Sequence, residues 1–546
     1  MKRVILAIIF ASVALSLSAA TLKLFELDHP VYNEVESLYV LEGKASPLGA
    51  KPWSEVDVDH LISAITPTSI YTTELKNKIN SYIEKDKDTG FIFDAVINPQ
   101  LMFQTNKNTF NSGDCIVKSD LLETPLATVG IGTYYKSNIA FYIDMAVGVV
   151  PYDTSAETSA ERFSRFYGAN IPLNMDDFSF MNLPNNAYFA IGYDVLRLVT
   201  GRGQVEWGNG VMGNTMLGNT LPYHDYLSLS YTGNKFSYQL LTSFFSHSEN
   251  AKPGASDRNP QKGLRFFLGH RFELSLFDNR LLLALNDGIM YQSKEGFLDL
   301  RLLNPMFFMH DAYIAGNSNS LLTFEVEYGI MKGLTMYGQL AIDDWAVFTE
   351  PKPGESGSSP NEVSAMAGLR FDKGSFYGNA EFVFTSPYVY HRALNIEGND
   401  SNELDYISST RYMNHGIQQI RRYLSFPFGS DALVGQLQLG YRNLNTFDVK
   451  GIASFMAHGI VNKDSVIRQY NEGEEVVHTP STYNPFDGKS GLVEYTLTLG
   501  AECEYKVLPY LPINAGVYLI TIWNKDNSNV PVSFDIQFNL GFKLIH

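Results

Sequence analysis

Val532-Ser533-Phe534-Asp535-Ile536-Gln537-Phe538-Asn539-Leu540-Gly541-Phe542-Lys543-Leu544 alternates apolar residues with polar ones or glycine from end to end. Successive side chains of an extended chain point to opposite faces, so this stretch predicts a strand with one apolar and one polar face. The same rhythm runs back to Gly90. Phe93, Ala95, Ile97, Leu101 and Phe103 alternate with Asp94, Asn98, Gln100 and Gln104. Ile139, Phe141, Ile143, Met145, Val147 and Val149 leave Tyr142 and Asp144 on the other side, and Phe324, Val326 and Tyr328 oppose Glu325 and Glu327.

The connections between such segments are of two kinds. Tight turns fall at Lys136-Ser137-Asn138, Thr232-Gly233-Asn234-Lys235, Asp278-Asn279, Met331-Lys332-Gly333 and Asp372-Lys373-Gly374. Long polar loops lie between them, near 153–186, 246–263, 289–320, 345–361, 386–432 and 459–491. Short turns on one side and long loops on the other are the pattern of an up-and-down barrel in an outer membrane. Read this way, the strands number about 18, an even count with both chain ends on the short-turn side. Among them are one strand at 187–199 and short ones at 204–208 and 226–231. A soluble sandwich of this size would divide into repeats or domains, and no such period or linker follows Gly90. The 36 Phe and 32 Tyr supply rings for interfacial girdles.

The start of the chain has another character. Lys2-Arg3, an apolar run from Val4 to Leu17, and Ser18-Ala19-Ala20 follow the order of a secretory signal. That run is shorter than the roughly 20 residues a spanning helix needs. No cysteine follows Ala20, so no lipid anchor is expected. From Thr21 to about Asp88 the pattern is helical, and Ser54 stands three residues before Asp57 as a capping pair. The sequence predicts an all-β, transmembrane, antiparallel up-and-down barrel over 91–546, behind a signal peptide (1–20) and a helical periplasmic segment (21–90).

Net charge is −17, which disfavours a phosphate-binding surface, so nucleic acid is not expected as a partner. Two cysteines, Cys115 and Cys503, offer neither a disulfide framework nor a Cys-rich metal site. The run Asn399-Asp400-Ser401-Asn402-Glu403 with Asp405 lacks calcium-loop spacing, and Gly488-Lys489-Ser490 lacks the glycine of a phosphate loop because position 483 is Tyr. No metal and no cofactor is expected.

Several short motifs occur in a telling order. They are Ala187 to Tyr193, Glu206-Trp207-Gly208-Asn209-Gly210, Leu217-Gly218-Asn219-Thr220, Gly269-His270-Arg271-Phe272-Glu273 and Leu303-Asn304-Pro305-Met306-Phe307-Phe308. Met336-Tyr337-Gly338-Gln339-Leu340 with Asp343-Asp344, Gly429-Ser430-Asp431-Ala432 and Pro52-Trp53-Ser54 complete the set. In this order the chain resembles the capsule-assembly Wzi family of outer-membrane proteins over nearly its whole mature length. Two positions depart from the pattern: Ser430 stands where proline is common, and the chain ends on His546 rather than an aromatic residue. The resemblance implies an 18-stranded barrel with a small periplasmic helical part, acting as a non-enzymatic lectin that helps attach surface polysaccharide.

Candidate sugar contacts are Trp207, a ring flanked by flexible glycines, and Tyr223, His224 and Asp225 at the end of a loop. The bland reading of Trp207 is a membrane girdle or lumen-wall ring. His270, Arg271, Glu273, Asp343 and Asp344 are expected to form a lumen charge network that narrows the channel. The acids Asp94, Asp144, Glu273, Glu325, Glu327 and Asp535 tilt the lumen negative, so a pore, if open, would favour cations. A general porin is the alternative function. A barrel hydrolase is the third, built from His270, Asp287, His310, Asp311 or His391, although no Gly-x-Ser-x-Gly or His-Glu-x-x-His is present. The expected partners are outer-membrane lipid and surface polysaccharide, and the expected state is a monomer.

Overall fold

The computed structural model describes residues 20–545 apart from 85–87, 107–123, 150–169, 172–177, 183, 194, 246–263, 294–295, 306–317, 345–361, 393–403, 412–418, 462–492 and 528–529. The signal-like stretch, Cys115, His310, Asp311, the run Asn399 to Glu403 and Gly488 to Ser490 therefore lie outside the described residues.

The two-residue rhythm becomes one large antiparallel sheet in which neighbours in sequence are neighbours in space. The sheet closes on itself as a barrel. Thr89–Ile97 pairs with Ala127–Tyr135 on one side and meets the chain's last strand on the other, with Val96 opposite Ile545. The continuation Gln100–Gln104 pairs with Ser533–Phe542, Gln104 opposite Gln537. Closure leaves no free edge of unpaired amides.

The side-chain arrangement is inverted relative to a water-soluble protein. In strand Ser533–Phe542, Phe534 and Leu540 are 54% and 49% exposed, whereas Asp535 and Gln537 are 0% and 1% exposed. The same holds around the wall, where Phe93, Phe141, Phe324, Val326, Leu437 and Phe455 face outward. An apolar exterior around a polar interior suits a hydrocarbon solvent.

Three expectations about strands need correction. The segment 187–199 is two strands, Ala187–Tyr193 and Leu196–Gly203, paired with Tyr193 opposite Leu196. Gly201 reads as a breaker but lies within the second strand, where a Cβ would come 2.1 Å from the Ala187 carbonyl oxygen; it marks close approach of two strands. The segment 204–208 is not part of the wall, because Glu206–Trp207 pairs with Ala50–Lys51 in a separate two-stranded sheet. Within the expected loop 386–432, Ile407–Arg411 and Gln419–Tyr423 form another such pair.

The helical lead-in contains α1 (Val31–Leu41), α2 (Glu55–Ser63) and α3 (Ile70–Asn80). Ser54 starts α2 as expected: its Oγ accepts from Asp57 N at 3.2 Å, and Asp57 Oδ2 accepts from Ser54 N at 2.7 Å. Val31, Val35, Leu38, Trp53, Val58, Ile62, Leu75 and Ile79 form a small core between the helices. No described helix is long and apolar enough to cross a membrane, which says nothing about crossing by strands.

The helical unit lies across the barrel's short turns. Gly333 N donates to Val40 O at 2.8 Å, and Ala45 N donates to Asn279 O at 2.8 Å. Lys78 Nζ donates to Leu444 O at 2.6 Å, and Tyr71 OH to Gly374 O at 3.0 Å. Contacts to four turns distributed around the rim make it a cover for that end.

Candidate functional site

Three stretches of chain enter the barrel, and buried charges hold them there. The first, after α1, passes up from the helical cover: Ser46 N donates to Glu327 Oε1 and Gly49 N to Glu273 Oε1, both at 2.8 Å. The second runs from Glu206 to Thr220. Val211 N and Met212 N donate to Glu381 at 2.7 and 2.8 Å, and Thr215 N donates to Gln339 Oε1 at 2.9 Å. The third spans the described parts of 387–431. Tyr390 N donates to Asp343 Oδ2 at 2.6 Å, Tyr406 OH to Gly288 O at 2.7 Å, and Arg265 Nη2 to Ile407 O at 2.6 Å. The second and third also meet each other, with Gly218 N on Leu424 O at 2.7 Å.

Two arginines anchor this packing. Arg271, wholly buried, donates to Glu273 Oε1 at 2.6 Å, Glu325 Oε1 at 2.5 Å and Asn286 Oδ1 at 2.8 Å. Arg370 reaches Glu36 at 2.9 Å, Glu327 at 3.3 Å and Asn209 O at 2.7 Å. Buried carboxylates at this density are tolerable because a guanidinium offers several fixed donors to them.

The expected lumen network is thus divided. Arg271 and Glu273 belong to it, with Glu325 as the further partner. Asp343 serves the inserted third stretch instead, and Asp344 is placed only by its backbone, opposite Glu362. His270 is on the outer face of the wall, because its neighbour Arg271 faces inward and adjacent strand residues point oppositely.

The candidate sugar contacts do not converge. Trp207 is 1% exposed, its Nε1 donates to Gln239 Oε1, and its ring packs edge-on to Phe267. With both faces covered it cannot stack on a sugar, and its role is to seat the inserted stretch beside Gly269. His224 faces inward, buried, with Nδ1 2.8 Å from Ser243 Oγ. Tyr223 lies under the Arg202 guanidinium, 4.3 Å from ring centroid to Cζ. Asp225 takes two hydrogen bonds from the same arginine, at 2.7 and 2.8 Å. Tyr223, Arg202 and Asp225 form a group separate from His224.

His391, named as a hydrolase candidate, has Nδ1 3.4 Å from Asp405 Oδ2 and Nε2 3.2 Å from Ser430 Oγ. The order Asp, His, Ser is that of a nucleophile relay. Ser430 is wholly buried, however, and its hydroxyl donates to Val461 O at 3.2 Å. The group ties distant parts of the third stretch to one another and to Val461.

The inserted stretches leave space on the other side of the lumen. A cavity of about 520 Å³ lies between Val211, Met212, Pro427 and Phe428 and the inner faces of the first strand and the last five. Its wall is rich in amides: Asn98, Gln100, Gln436, Gln438, Asn514, Gln537 and Asn539. Tyr518 and Thr498 add hydroxyls, and Tyr518 OH donates to Glu502 Oε1 at 2.6 Å. Its charged lining residues are paired: Lys450 with Glu502 at 2.7 Å, and Glu206 with Lys51 at 3.1 Å. The acids expected to make the lumen negative are mostly elsewhere: Glu273, Glu325 and Glu327 lie against arginines on the packed side. An amide carries both donors and an acceptor, matching a hydroxyl that is both. The volume falls in the range of small-molecule sites. Asn98, Gln100, Gln537 and Asn539 were visible as polar-face residues, but alternation alone does not say which polar residues share an open space.

No family model matches the chain, and no curated protein matches it. Among solved structures, the barrel superposes on Wzi of Escherichia coli, described as an outer-membrane protein involved in group 1 capsule assembly and a carbohydrate-binding β-barrel. The TM-score is 0.56 at 12% identity, over 95% of this chain and 99% of that one. Pseudomonas aeruginosa OprD superposes more loosely, with TM-score 0.40 and 8% identity over 84% of this chain and 95% of that one. Vibrio cholerae OmpT, an outer-membrane protein, gives 0.34 and 9% over 85% and 99%. The resemblance carried by the ordered motifs is therefore matched by the fold.

Proposed function

We propose that the chain is an outer-membrane barrel of about 18 strands that binds surface polysaccharide without transforming it. On this reading residues 1–20 direct export, the helical segment 21–90 covers the periplasmic end, and the long loops face outward. It works as a monomer, since the packed lumen is completed by its own chain.

The observation that carries the reading is how the lumen is used. One side is filled from both ends by the protein's own segments, and the other keeps a cavity walled mainly by neutral amides and hydroxyls, its charged residues paired with one another or with Lys51. A saccharide presents rings of hydroxyl groups that both donate and accept, and such a wall can meet them without a charged partner. The fold shared with a carbohydrate-binding barrel supports the same reading. The Tyr223, Arg202 and Asp225 group is on the outer face of the wall at the loop end, by the same alternation that turns His224 inward, and is not part of this cavity.

A general porin needs an open path and must conduct. Purified protein in planar lipid bilayers, together with retention of cell-surface polysaccharide on immobilised protein, separates the two. The proposal expects retained polysaccharide and little steady conductance. Large, stable conductance with no retained polysaccharide would favour the porin.

A further inference from the structure

Two motifs from the sequence, His270-Arg271 and Leu303-Asn304-Pro305, meet at a place the lumen does not use. Arg271, Asn286 and Glu325 face inward and bond to one another, so His270 and Asp287, their strand neighbours, face outward. These two residues are opposite each other in the ladder, and both are buried. His270 lies six residues from the turn-side end of its strand Leu264–Leu276. At a rise of about 3.3 Å per residue and a tilt of about 40°, that is roughly 15 Å up the wall, inside an apolar band about 25 Å tall. Bare ionisable groups there would be costly.

They are not bare. Residues 296–305 fold back over the outside of the wall, and Leu302, within a short 3-10 turn (Leu300–Leu303), packs on Phe266, Leu268, Ile289 and Tyr291. Leu302 O lies 3.0 Å from His270 Nε2, and Tyr238 OH lies 2.8 Å from His270 Nδ1. A carbonyl only accepts, so Nε2 carries the hydrogen and the neutral ring's Nδ1 accepts from Tyr238. The outer side of this strap is apolar: Phe297 and Leu300 are 71% and 68% exposed, with Leu298 and Leu303 also exposed.

We propose that residues 296–304 are a strap immersed in the acyl layer of the membrane, latched to the barrel wall by His270 and Tyr238. The surface is an interaction surface whose partner is lipid. It rests on the outer-membrane reading above. Hydrocarbon is favoured over a second copy of the chain by two observations. The strap sits on a face of the wall whose exposed residues nearer the short turns, Leu274, Leu283, Phe324 and Val326, are apolar as well. Several of its backbone groups also find partners within the protein, which lowers the cost of immersion. Phe297 N donates to Ser293 Oγ and Phe297 O accepts from Tyr291 OH, both at 3.1 Å. Leu302 N and Asn304 N donate to Asp299 O and Arg301 O, also at 3.1 Å. Arg301, tied to Asp299 at 2.6 Å, has the length to carry that ion pair toward the headgroups.

The test places a nitroxide on the full chain in phosphatidylcholine bilayers, in a Cys115→Ser, Cys503→Ser background. Label sites are Phe297→Cys and Leu300→Cys on the strap and Phe324→Cys on the wall. Collision with oxygen exceeding collision with a water-soluble nickel chelate at all three sites is the expected result. Nickel preference at 297 and 300 with oxygen preference at 324 overturns the strap and leaves the membrane reading standing. Nickel preference at 324 as well overturns both. Dipolar broadening between labels at 297 on different molecules means a second copy covers the strap, which also overturns the proposal. For the latch, His270→Ala is expected to reverse the preference at 297, and His270→Gln, which keeps a donor, to restore it. Tyr238→Phe, the milder change, is expected to shift 297 partway. An unchanged ratio in His270→Ala, or in Tyr238→Phe if the first variant does not fold, overturns the latch.

Discussion

The two sides of the lumen use polar residues in opposite ways. On the side of strands Leu264–Leu276 to Phe376–Thr385, inward groups are charged: Arg271 pairs with Glu273 and Glu325 and Arg370 with Glu327 across the wall, and Glu273, Glu327, Arg370 and Glu381 in turn hold the inserted stretches at Gly49, Ser46, Asn209, Val211 and Met212. On the side of strands Ala432–Asn443 to Ser533–Phe542, they are mostly neutral amides around empty space. Charge is suited to fixing one permanent partner, because an unpaired buried charge is so costly. Neutral amides suit an exchangeable partner, since they lose less when it leaves.

The largest expected effect comes from breaking the packed side. Arg271→Ala leaves two buried carboxylates without their cation, a loss of about 3–5 kcal/mol by the usual cost of breaking a buried pair. The temperature at which the folded, fast-migrating form disappears on detergent gels should fall well below that of the parent protein. If it does not move, the charges are not what holds the inserted stretches.

The open side should respond in binding and not in stability. Gln438→Leu combined with Asn514→Leu removes hydrogen-bonding groups from the cavity wall, together with their bonds to Asn379 and Gln100, while leaving the buried charges of the packed side in place. Polysaccharide retention should weaken about 10- to 100-fold, at ~1.4 kcal/mol per factor of ten, with a shift of the thermal transition on gels much smaller than that of Arg271→Ala. A drop in stability with binding preserved would reverse the roles assigned to the two sides.

The helical cover should loosen in mild acid. His29, between the rings of Phe25 and Tyr82, is held down to about 4 by burial, with Lys23 and Lys543 also lowering it and Asp28 opposing. Its Nδ1 accepts from Val31 N at 3.1 Å, a bond the protonated ring would lose. The unfolded residue titrates near 6.5, so the stability it contributes is full above that pH and is lost as pH falls from 6.5 toward 4. The protection of α1 amides, their exchange rate relative to the unstructured chain at the same pH, should fall over that window, and His29→Gln should flatten the dependence. The smallest effect is that of Ser54→Ala, which removes the α2 cap and should cost about 1 kcal/mol, read as faster exchange in residues 55–63.

The barrel was legible because a period of two over hundreds of residues has few other meanings. Its fine divisions were not. Tyr193-Asp194-Val195-Leu196 carries no glycine or Asn-Gly signal, whereas Gly201 and Gly203 look like punctuation and are strand residues at close approaches. Glu206-Trp207 alternates like a wall strand, and only its pairing with Ala50–Lys51, far earlier in the chain, shows that it lies inside. His270 was assigned to the same network as Arg271, yet the period of two already places them on opposite faces. Trp207 suggested a platform because a ring beside glycine is a local signal; its burial depends on residues distant in sequence. The amides of the cavity were visible one by one, and their convergence is a property of closure.

The central claim is that the amide-walled cavity receives a saccharide. The most direct measurement is equilibrium binding of fluorescently labelled oligosaccharides, released from the cell's own surface polysaccharide, to the full chain in detergent. The Gln438→Leu, Asn514→Leu protein serves as the comparison. The account expects saturable binding that is weakened in the variant and insensitive to salt, as neutral contacts require. Binding equal in the two proteins, or absent from both, would contradict it.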